Sequence, residues 1–336
     1  MSIHAQRLGP ADRDAVVEFL LAHFDYGAAL SEKALVFCVC GGMQNLPRDI
    51  LIAKLQETAT AVCQSDMSLA AWVGPRICGL LVSHRGEAKD VSGEQPSDDG
   101  RTGGAGPRYQ TTLMALPDDI DQVFVALDLQ FQALQLEPGP QQLTPLLPML
   151  SPSITAQRDY AMVEETLAMH WPRQEIRIPV LSGVSIRSYD GQDEATNVAL
   201  AEIYNSSYAA HADIPPVDGA HFRRLLTSLP ELQVESFAVV AYRDERLVGF
   251  CGSFVTCNTT GYLDNYMVAR DQRGRSLGNA LGLGAMQMMV ERGCSDIFAR
   301  INASNRPSWH LAMRFGWQIA ARIPIYLRRG ADLGSV

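Results

Sequence analysis

The residues with the clearest chemical potential form a turn that leads into a helix, Arg-Gly-Arg-Ser-Leu-Gly-Asn at positions 273–279. Backbone N–H groups at a helix start lack partners within the helix and lie at the positive end of its dipole, so such a turn binds anions. Gly274 and Gly278 let a ligand approach the backbone, and Arg273 and Arg275 add positive charge. The spacing predicts a diphosphate site, but it matches neither the G-x-G-x-x-G nor the Walker pattern. Taken alone, it also fits an ordinary glycine turn.

A second motif follows on a short helix and its end: Asn305, Ser308, Leu311, Gly316 and Trp317. Together the two motifs resemble the GNAT superfamily of N-acetyltransferases. The hallmark of that superfamily is Q/R-x-x-G-x-G/A after a strand, and then an Asn-x-x-Ala/Ser helix that closes at Gly-Phe. Arg273 and Gly278 match the first motif, whereas Ser276 replaces its first glycine and Trp317 replaces the phenylalanine. The resemblance covers residues 184–329.

The resemblance implies an acyl-CoA site, with acetyl-CoA as the expected co-substrate and no metal. The pyrophosphate would contact the amides of residues 273–279, and the pantetheine would lie along the preceding strand as an added strand does. The Val268 N–H would polarise the thioester carbonyl as a small oxyanion hole, and Asn305 would bond the pantetheine arm. The implied cofactor-binding residues are Met267, Val268, Arg273, Gly274, Arg275, Ser276, Leu277, Gly278, Asn279, Asn305 and Ser308.

Acyl transfer to nitrogen requires a neutral amine, so a general base near this strand is expected. Asp264 is the candidate, because it precedes Val268 by four residues on the same predicted strand. Strict alternation places Tyr262 and Tyr266 on its face and Asn265 on the opposite face. The alternatives are a surface carboxylate for Asp264 and packed sheet residues for the tyrosines.

The expected acid for the departing thiolate is absent. Many family members use a tyrosine seven residues after the helix asparagine, and this chain has Ala312 there. A thiol with a pKa of about 8.5 can leave as a thiolate without strong help. His310 and Ser308 are possible substitutes, and the alternative for His310 is an exposed helix histidine.

In this family the first two helices and their loop form the acceptor site, here residues 204–222. The segment is polar and aromatic, which suits a small polar amine. The expected substrate-binding residues are Tyr204, Tyr208, His211, Tyr262 and Tyr266.

The elements that must position these residues follow from hydrophobic periodicity. The second half is predicted to contain strands at 184–188, 236–243, 247–256, 262–268 and 296–301, and helices at 194–211, 219–232, 277–292 and from 307. The first half is predicted to repeat its opening plan of strand, two helices and hairpin, with strands at 3–7, 68–73, 77–84 and 162–170, and helices at 10–23, 50–62 and 121–136.

These elements predict an α/β fold of two tandem GNAT-like domains, each a mixed, mostly antiparallel sheet flanked by helices. The first domain, 1–175, is degenerate, because no phosphate-binding turn occurs in residues 1–180. A linker at 176–183 leads to the catalytic domain, 184–336. The layout is similar to tandem GNAT proteins of the mycothiol synthase type.

Composition narrows the function classes. Residues 1–180 hold 13 Lys+Arg and 22 Asp+Glu, a net charge of −9, which argues against nucleic-acid binding. No run of about 18 apolar residues and no leader pattern occurs, so we expect a cytoplasmic protein with no membrane partner. The seven cysteines include no paired CxxC motifs, which favours reduced thiols over zinc. A monomer or homodimer is expected.

The sequence thus predicts acyl-CoA-dependent N-acyltransfer, in the simplest case of acetyl, to a small-molecule amine by direct attack on the thioester. Two alternatives stay open. Ala312 and Ser276 are compatible with a catalytically inactive acyl-CoA sensor. An O-acyltransferase or another thioester-processing enzyme of a biosynthetic pathway would use the same acyl-CoA site.

Overall fold

The structure is a computed structural model that describes residues 3–29, 46–65, 67–86, 108–115, 120–134, 141–145, 150–209, 216–228, 234–256 and 259–328. The chain forms two compact units. Unit 1 consists of Met1–Leu167, Asn302–Ser304 and Ala321–Val336, and unit 2 consists of Ala168–Ile301 and Asn305–Ala320.

Unit 1 begins the chain. Its elements in chain order are β1 (His4–Arg7), a 3-10 turn (Pro10–Asp12), α1 (Arg13–Ala28), α2 (Arg48–Gln64), β2 (Leu69–Val73), β3 (Arg76–Gly86), β4 (Arg108–Ala115), α3 (Ile120–Leu134), β5 (Gln141–Pro145), α4 (Pro152–Gln157) and β6 (Tyr160–Pro172), whose last residues belong to unit 2.

Unit 2 contains most of the second half. Its elements are β7 (Val184–Tyr189), α5 (Glu194–Tyr208), α6 (Gly219–Leu225), β8 (Val234–Arg243), β9 (Arg246–Thr256), β10 (Thr260–Val268), a 3-10 turn (Arg270–Gln272), α7 (Leu277–Glu291), β11 (Asp296–Asn302), α8 (Arg306–Arg314) and the start of β12 (Gln318–Arg328). The predicted helix at 219–232 is wrong in length, because α6 ends at Leu225.

Each unit has a mixed sheet. Strands β1, β2, β3, β4, β5 and β12 follow one another in unit 1, and β11, β10, β9, β8 and β7 in unit 2. The parallel pairs among these neighbours are β4–β5 and β10–β11, and the others are antiparallel. The predicted fold class is confirmed, and within the described residues both units open with a strand, two helices and a hairpin.

The sheet of unit 2 is covered on both faces. Helices α5 and α6 pack on one face, where Leu200 and Phe222 join a buried cluster with Phe250 and Met267. Helix α7 packs on the other face. It approaches closely because β9 has Gly249 there, where a Cβ would lie 2.8 Å from the Leu281 Cδ1. No helix among the described residues is long and apolar enough to cross a bilayer.

Unit 1 is completed by the end of the chain. Strand β12 pairs antiparallel with β5 through Tyr326↔Leu143 and Arg328↔Gln141, and Tyr326 is part of the buried cluster. Asp128 is fully buried in this unit and accepts hydrogen bonds from the Tyr160 hydroxyl at 2.8 Å and from Arg158 Nε at 2.7 Å. The predicted ranges 1–175 and 184–336 therefore differ from the compact units at β6 and β12, because local patterns do not reveal which sheet a strand joins.

Candidate active site

The turn into α7 has the backbone expected of an anion site. Gly274 has φ +75° and Ser276 has φ +58°, so the chain reverses sharply before the helix. Ser276 is the N-cap of α7 but its side chain makes no capping hydrogen bond, and the helix ladder starts with Ala280 N–H donating to the Ser276 carbonyl. The N–H groups of residues 277–279 thus precede the ladder at the positive helix end. Residues 273–276 are exposed, which leaves this end open to a ligand.

Gly278 serves packing as well as access. A Cβ at this position would lie 2.7 Å from the Tyr266 hydroxyl, so a larger residue would displace that ring. Leu277 is buried and anchors the first turn, whereas Gly278 and Asn279 are half-buried. The first turn of α7 is therefore held against β10 by Tyr266.

Strands β10 and β11 diverge beside this turn. Their parallel pairing runs from Thr260↔Asp296 to Leu263↔Ala299 and ends there within the described residues, whereas β10 continues to Val268. Ala269 N–H donates to the Val248 carbonyl at 2.9 Å. Because bonded and non-bonded pairs alternate in an antiparallel ladder, the N–H and C=O of Val268 point away from β9, into the space that opens beside β11. The separation forms a cleft in which β10, beyond Leu263, has no strand partner within the described residues.

Two arginines fix the end of this cleft. Arg273 donates from Nε to the Val268 carbonyl at 3.1 Å and from Nη2 to the Ser207 hydroxyl at 3.2 Å, which joins α5 to the end of β10. Arg246 forms a two-bond pair with Asp271, at 3.0 Å for each bond. The 3-10 turn between β10 and α7 is thereby tied to the β8–β9 hairpin.

A β-bulge interrupts β10. Its pairing with β9 shifts between Leu263 and Tyr266, so that two residues, Asp264 and Asn265, face the single residue Gly252. Asn265 Nδ2 donates to Asp264 Oδ2 at 2.8 Å, which places both side chains together. The prediction that Asn265 lies opposite Asp264 is wrong for this reason.

The bulge also separates the tyrosines of β10. Tyr262 lies before it and contacts Phe254, with ring centroids 4.8 Å apart. Tyr266 lies after it, and its hydroxyl approaches Gly278 and Gly282 of α7. The predicted common face of Asp264 and Tyr266 is therefore wrong, because the extra residue reverses the alternation. Burial against α7 raises the pKa of the Tyr266 phenol.

Asp264 faces an aromatic cluster on α5 and α6. The Tyr204 and Tyr208 rings lie 4.8 Å apart, and the Tyr204 and His221 rings lie 6.2 Å apart. We call Tyr204, Tyr208, His221 and Asp264 the acceptor pocket. The Asp264 carboxyl reaches solvent, yet desolvation by the surrounding protein raises its pKa, and hydrogen bonds from Asn265 and the charge of His221 oppose that rise. Burial and then the Asp264 charge raise the pKa of Tyr204.

Comparisons with known proteins agree with this geometry. Residues 198–317 match the model of the acetyltransferase (GNAT) family. The matched segment is 120 of the 336 residues, about a third of the chain, and it contains both motifs. A mycothiol acetyltransferase from Thermomonospora curvata is 28% identical over 174 residues, which are 49% of this chain and 55% of that protein, so the chain spans about half the length of this relative.

Two solved structures share the fold over nearly the whole chain. A tandem GNAT protein from the clavulanic acid biosynthesis pathway has a TM-score of 0.63 at 12% identity, with 98% of each chain covered. A GCN5-related N-acetyltransferase from Sphaerobacter thermophilus has a TM-score of 0.60 at 16% identity, covering 99% of this chain and 98% of its own. The tandem GNAT fold is thus confirmed.

The second GNAT motif lies on α8. Asn305 is its N-cap. The Asn305 side chain accepts a hydrogen bond from the Ser308 N–H at 3.4 Å and so caps the start of the helix. His310 is exposed, with its ring centroid 3.9 Å from that of Trp309. Ala312 occupies the position of the family tyrosine and supplies no proton donor. The roles of Asn305, Ser308 and His310 stay predictions.

The structure brings most predicted residues to β10 and the elements beside it. Among the predicted cofactor residues of β10 and the turn, Met267 is the exception, because its side chain is buried with α5 and α6 rather than at the cleft. His211 lies outside the described residues. His221 lies in the predicted acceptor segment 204–222, where the sequence left an acceptor-side and a surface position open, and it reaches the pocket because α6 packs beside α5. Asn265 was not predicted as a site residue, and the bulge turns it toward Asp264.

Proposed function

We propose that this chain transfers an acyl group, acetyl in the simplest case, from acyl-CoA to the nitrogen of a small-molecule amine. The observation that carries the proposal is the arrangement along β10. Asp264 stands at the bulge, the Val268 N–H points into the cleft, and the anion turn follows at the strand end. A base, an oxyanion donor and a phosphate site thus lie in sequence along one strand.

The residues present fit an acyl-CoA. The N–H groups of residues 277–279, with the exposed Arg275, suit the diphosphate. The unpaired edge of β10 beyond Leu263 suits the amides of an extended pantetheine, which would bond as an added strand. The Val268 N–H would then donate to the oxygen of the thioester carbonyl, where negative charge develops during attack.

The protons and bonds of the acyl transfer are all accounted for when Asp264 acts as the base. The carboxylate accepts one proton from the ammonium R–NH3+, and the freed lone pair attacks the thioester carbonyl carbon. The C–N bond forms, the C–S bond breaks, and CoA leaves with the bonding pair. The nitrogen loses its second proton and the CoA sulfur takes one up, so one proton is released per turnover. Ser308 and His310 are the proposed donors to sulfur in the absence of a tyrosine at position 312.

A second candidate function is acyl-CoA binding without transfer, which Ala312 favours. Calorimetry with acetyl-CoA, followed by a thiol-release screen over amines and alcohols, separates the candidates. We expect one site per chain and thiol release with amines, with the amide product detected by mass spectrometry. Binding without release in any mixture would favour the sensor, and an ester product would favour O-acylation. The cytoplasmic location and the monomeric or homodimeric state stay predictions.

A further inference from the structure

The acceptor pocket contains two tyrosines at the margin of the buried cluster of unit 2. Tyr204 and Tyr208 stand one turn apart on α5, both half-buried, and the fully buried Phe222 and Phe250 lie beneath the cluster. Both tyrosines pack against this buried cluster and remain partly exposed to solvent. Two partly exposed aromatic rings and an imidazole side by side form a surface with an electron-rich face.

Asp264 supplies a negative charge to this pocket, and the charge of His221 partly offsets it. Asn265 Nδ2 holds one Asp264 carboxylate oxygen at 2.8 Å, which limits the freedom of that side chain. The same negative charge contributes to raising the pKa of both tyrosine phenols, after burial, so the two rings stay neutral at physiological pH. Neutral aromatic faces beside a carboxylate attract a cation through both the ring quadrupole and the opposite charge.

Charge changes sign along β10. Asp264 is at the bulge, whereas Arg270, Arg273 and Arg275 lie in the turn after the strand, with Arg273 directed to the Val268 carbonyl. An anionic co-substrate is attracted to the turn, and a cationic group is attracted to the bulge and repelled from the turn. The strand thus separates the binding places of two reactants of opposite charge.

We propose that the acceptor pocket binds the amine in its protonated form, so that the acceptor class is a small ammonium ion held between the tyrosine rings and Asp264. This inference rests on the proposed transferase function and adds the charge state and shape of the substrate. The carboxylate that binds the ammonium is then also positioned to take its proton. A compact organic cation is selected over an uncharged molecule of the same shape.

A matched pair of probes tests cation recognition apart from chemistry. Choline carries a quaternary ammonium that cannot be acylated at nitrogen, and 3,3-dimethyl-1-butanol has the same shape with carbon in place of nitrogen. Calorimetry on the full chain saturated with CoA should show choline binding about 10-fold more tightly than the neutral isostere. Equal affinity for the two probes would overturn the proposal.

Variants at Tyr208 test whether its aromatic ring causes the preference for choline. Tyr208→Phe keeps the aromatic face and should retain the preference for choline, whereas Tyr208→Leu should reduce it several-fold, to within about 3-fold of the isostere. An unchanged preference in Tyr208→Leu and in Tyr204→Leu would exclude the rings from cation binding. Circular dichroism and the CoA affinity of each variant show whether it remains folded.

The outcome is separable from that of the proposed function. Thiol release with anionic or uncharged amines, together with no preference for choline, would contradict the pocket inference and leave the transferase proposal standing. A clear preference for choline without acyl transfer to any amine would contradict the transferase proposal and support a cation-binding pocket.

Discussion

The two units share a plan but differ at the strand pair where the chemistry is proposed. In unit 1, β4 pairs with β3 without a break from Gly86↔Arg108 to Gly79↔Ala115, and with β5 from Tyr109↔Gln141 to Leu113↔Pro145. In unit 2, the corresponding strand β10 has a bulge toward β9 and loses its pairing with β11 after Leu263. Within the described residues β4 runs two residues beyond its last pair with β5 and its pairing with β3 has no bulge, whereas β10 runs five residues beyond its last pair with β11 and has a bulge that carries a carboxylate.

Side chains reinforce this difference. Buried Ser83, Thr111 and Gln141 connect β3, β4 and β5, with the two hydroxyls 2.9 Å apart and Gln141 Nε2 3.3 Å from Thr111 Oγ1. The sequence between β4 and α3 is Leu-Pro-Asp-Asp at residues 116–119, which offers acidic groups and one missing N–H where unit 2 has glycines and arginines. These features agree with the prediction that unit 1 does not bind CoA in the manner proposed for unit 2.

The largest expected effect comes from removing the base. Asp264→Asn should lower kcat/KM by about 10²–10⁴-fold, the usual share of general-base catalysis, while CoA affinity stays nearly unchanged. Because desolvation raises the pKa of Asp264, the acid limb of the kcat/KM profile should lie above the ordinary carboxyl range and vanish in the variant. The loss should shrink at high pH, where the amine is already neutral.

Asp244→Asn is the matched control for this variant. Asp244 is an exposed carboxylate in the β8–β9 turn of the same unit, and its φ of +49° suits asparagine. It should keep the wild-type rate. A rise in KM alone in Asp264→Asn would indicate binding of the ammonium rather than base catalysis.

A charge at the anion turn tests whether unit 2 alone binds CoA. Ser276→Asp places a carboxylate where the diphosphate is proposed, and aspartate can also cap α7, so the fold should hold while CoA affinity falls by about 100-fold. Ser276→Asn has the same shape without the charge and should stay within about 3-fold of wild type, because asparagine tolerates the left-handed backbone.

Wild-type protein should bind one CoA per chain. Two equivalent sites in calorimetry would show that unit 1 also binds.

Acid should change the stability contributions of His23 and Asp264 in opposite directions. His23 of α1 is buried, and desolvation lowers its pKa to about 4. In the unfolded chain the histidine pKa is about 6.5, so below this pH the unfolded chain binds a proton that the folded unit excludes. The free energy of unfolding of unit 1 therefore falls by up to about 3 kcal/mol between pH 6.5 and pH 4. Asp264 has a raised pKa, so its stabilising contribution is instead present at low pH and is lost as pH rises through the folded value.

Hydrogen exchange of α1 amides between pH 7 and pH 5, corrected for the intrinsic exchange rate, measures the His23 effect locally. The His23→Gln variant should show a flatter pH dependence of protection, whatever its absolute stability. The same slope in wild type and variant would contradict the assignment to His23.

The smallest expected effect concerns the pair that ties the anion turn to the hairpin. Arg246 and Asp271 are both about half-exposed, at 61% and 50%, so the pair is worth about 1 kcal/mol or less. Arg246→Gln should therefore weaken CoA binding by at most about 5-fold. A double-mutant cycle with Asp271→Asn measures the coupling. A loss as large as that of Ser276→Asp would mean that the turn depends on this pair for its shape.

Local sequence patterns predicted the elements and the turn because glycine spacing and apolar periodicity act over a few residues. They misplaced Tyr266 and Asn265, because a bulge depends on how β10 pairs with β9, and nothing in the sequence of one strand records its partner's register. The position of His221 stayed open for a similar reason. It lies in the predicted acceptor segment 204–222, but it becomes part of the pocket only when α5 and α6 pack together, and local sequence does not record that packing.

The membership of β12 in unit 1 has a consequence for biosynthesis. Tyr326 and its partner Leu143 are 183 residues apart (326 − 143), and almost all of unit 2 is encoded between them. At about 5–20 residues per second, a ribosome would deliver β12 roughly 10–40 s after β5. During that interval the nascent unit 1 exposes the edge of β5 while unit 2 is already being made. The first half of the chain therefore finishes folding last, and its open strand edge is where a chaperone would be needed.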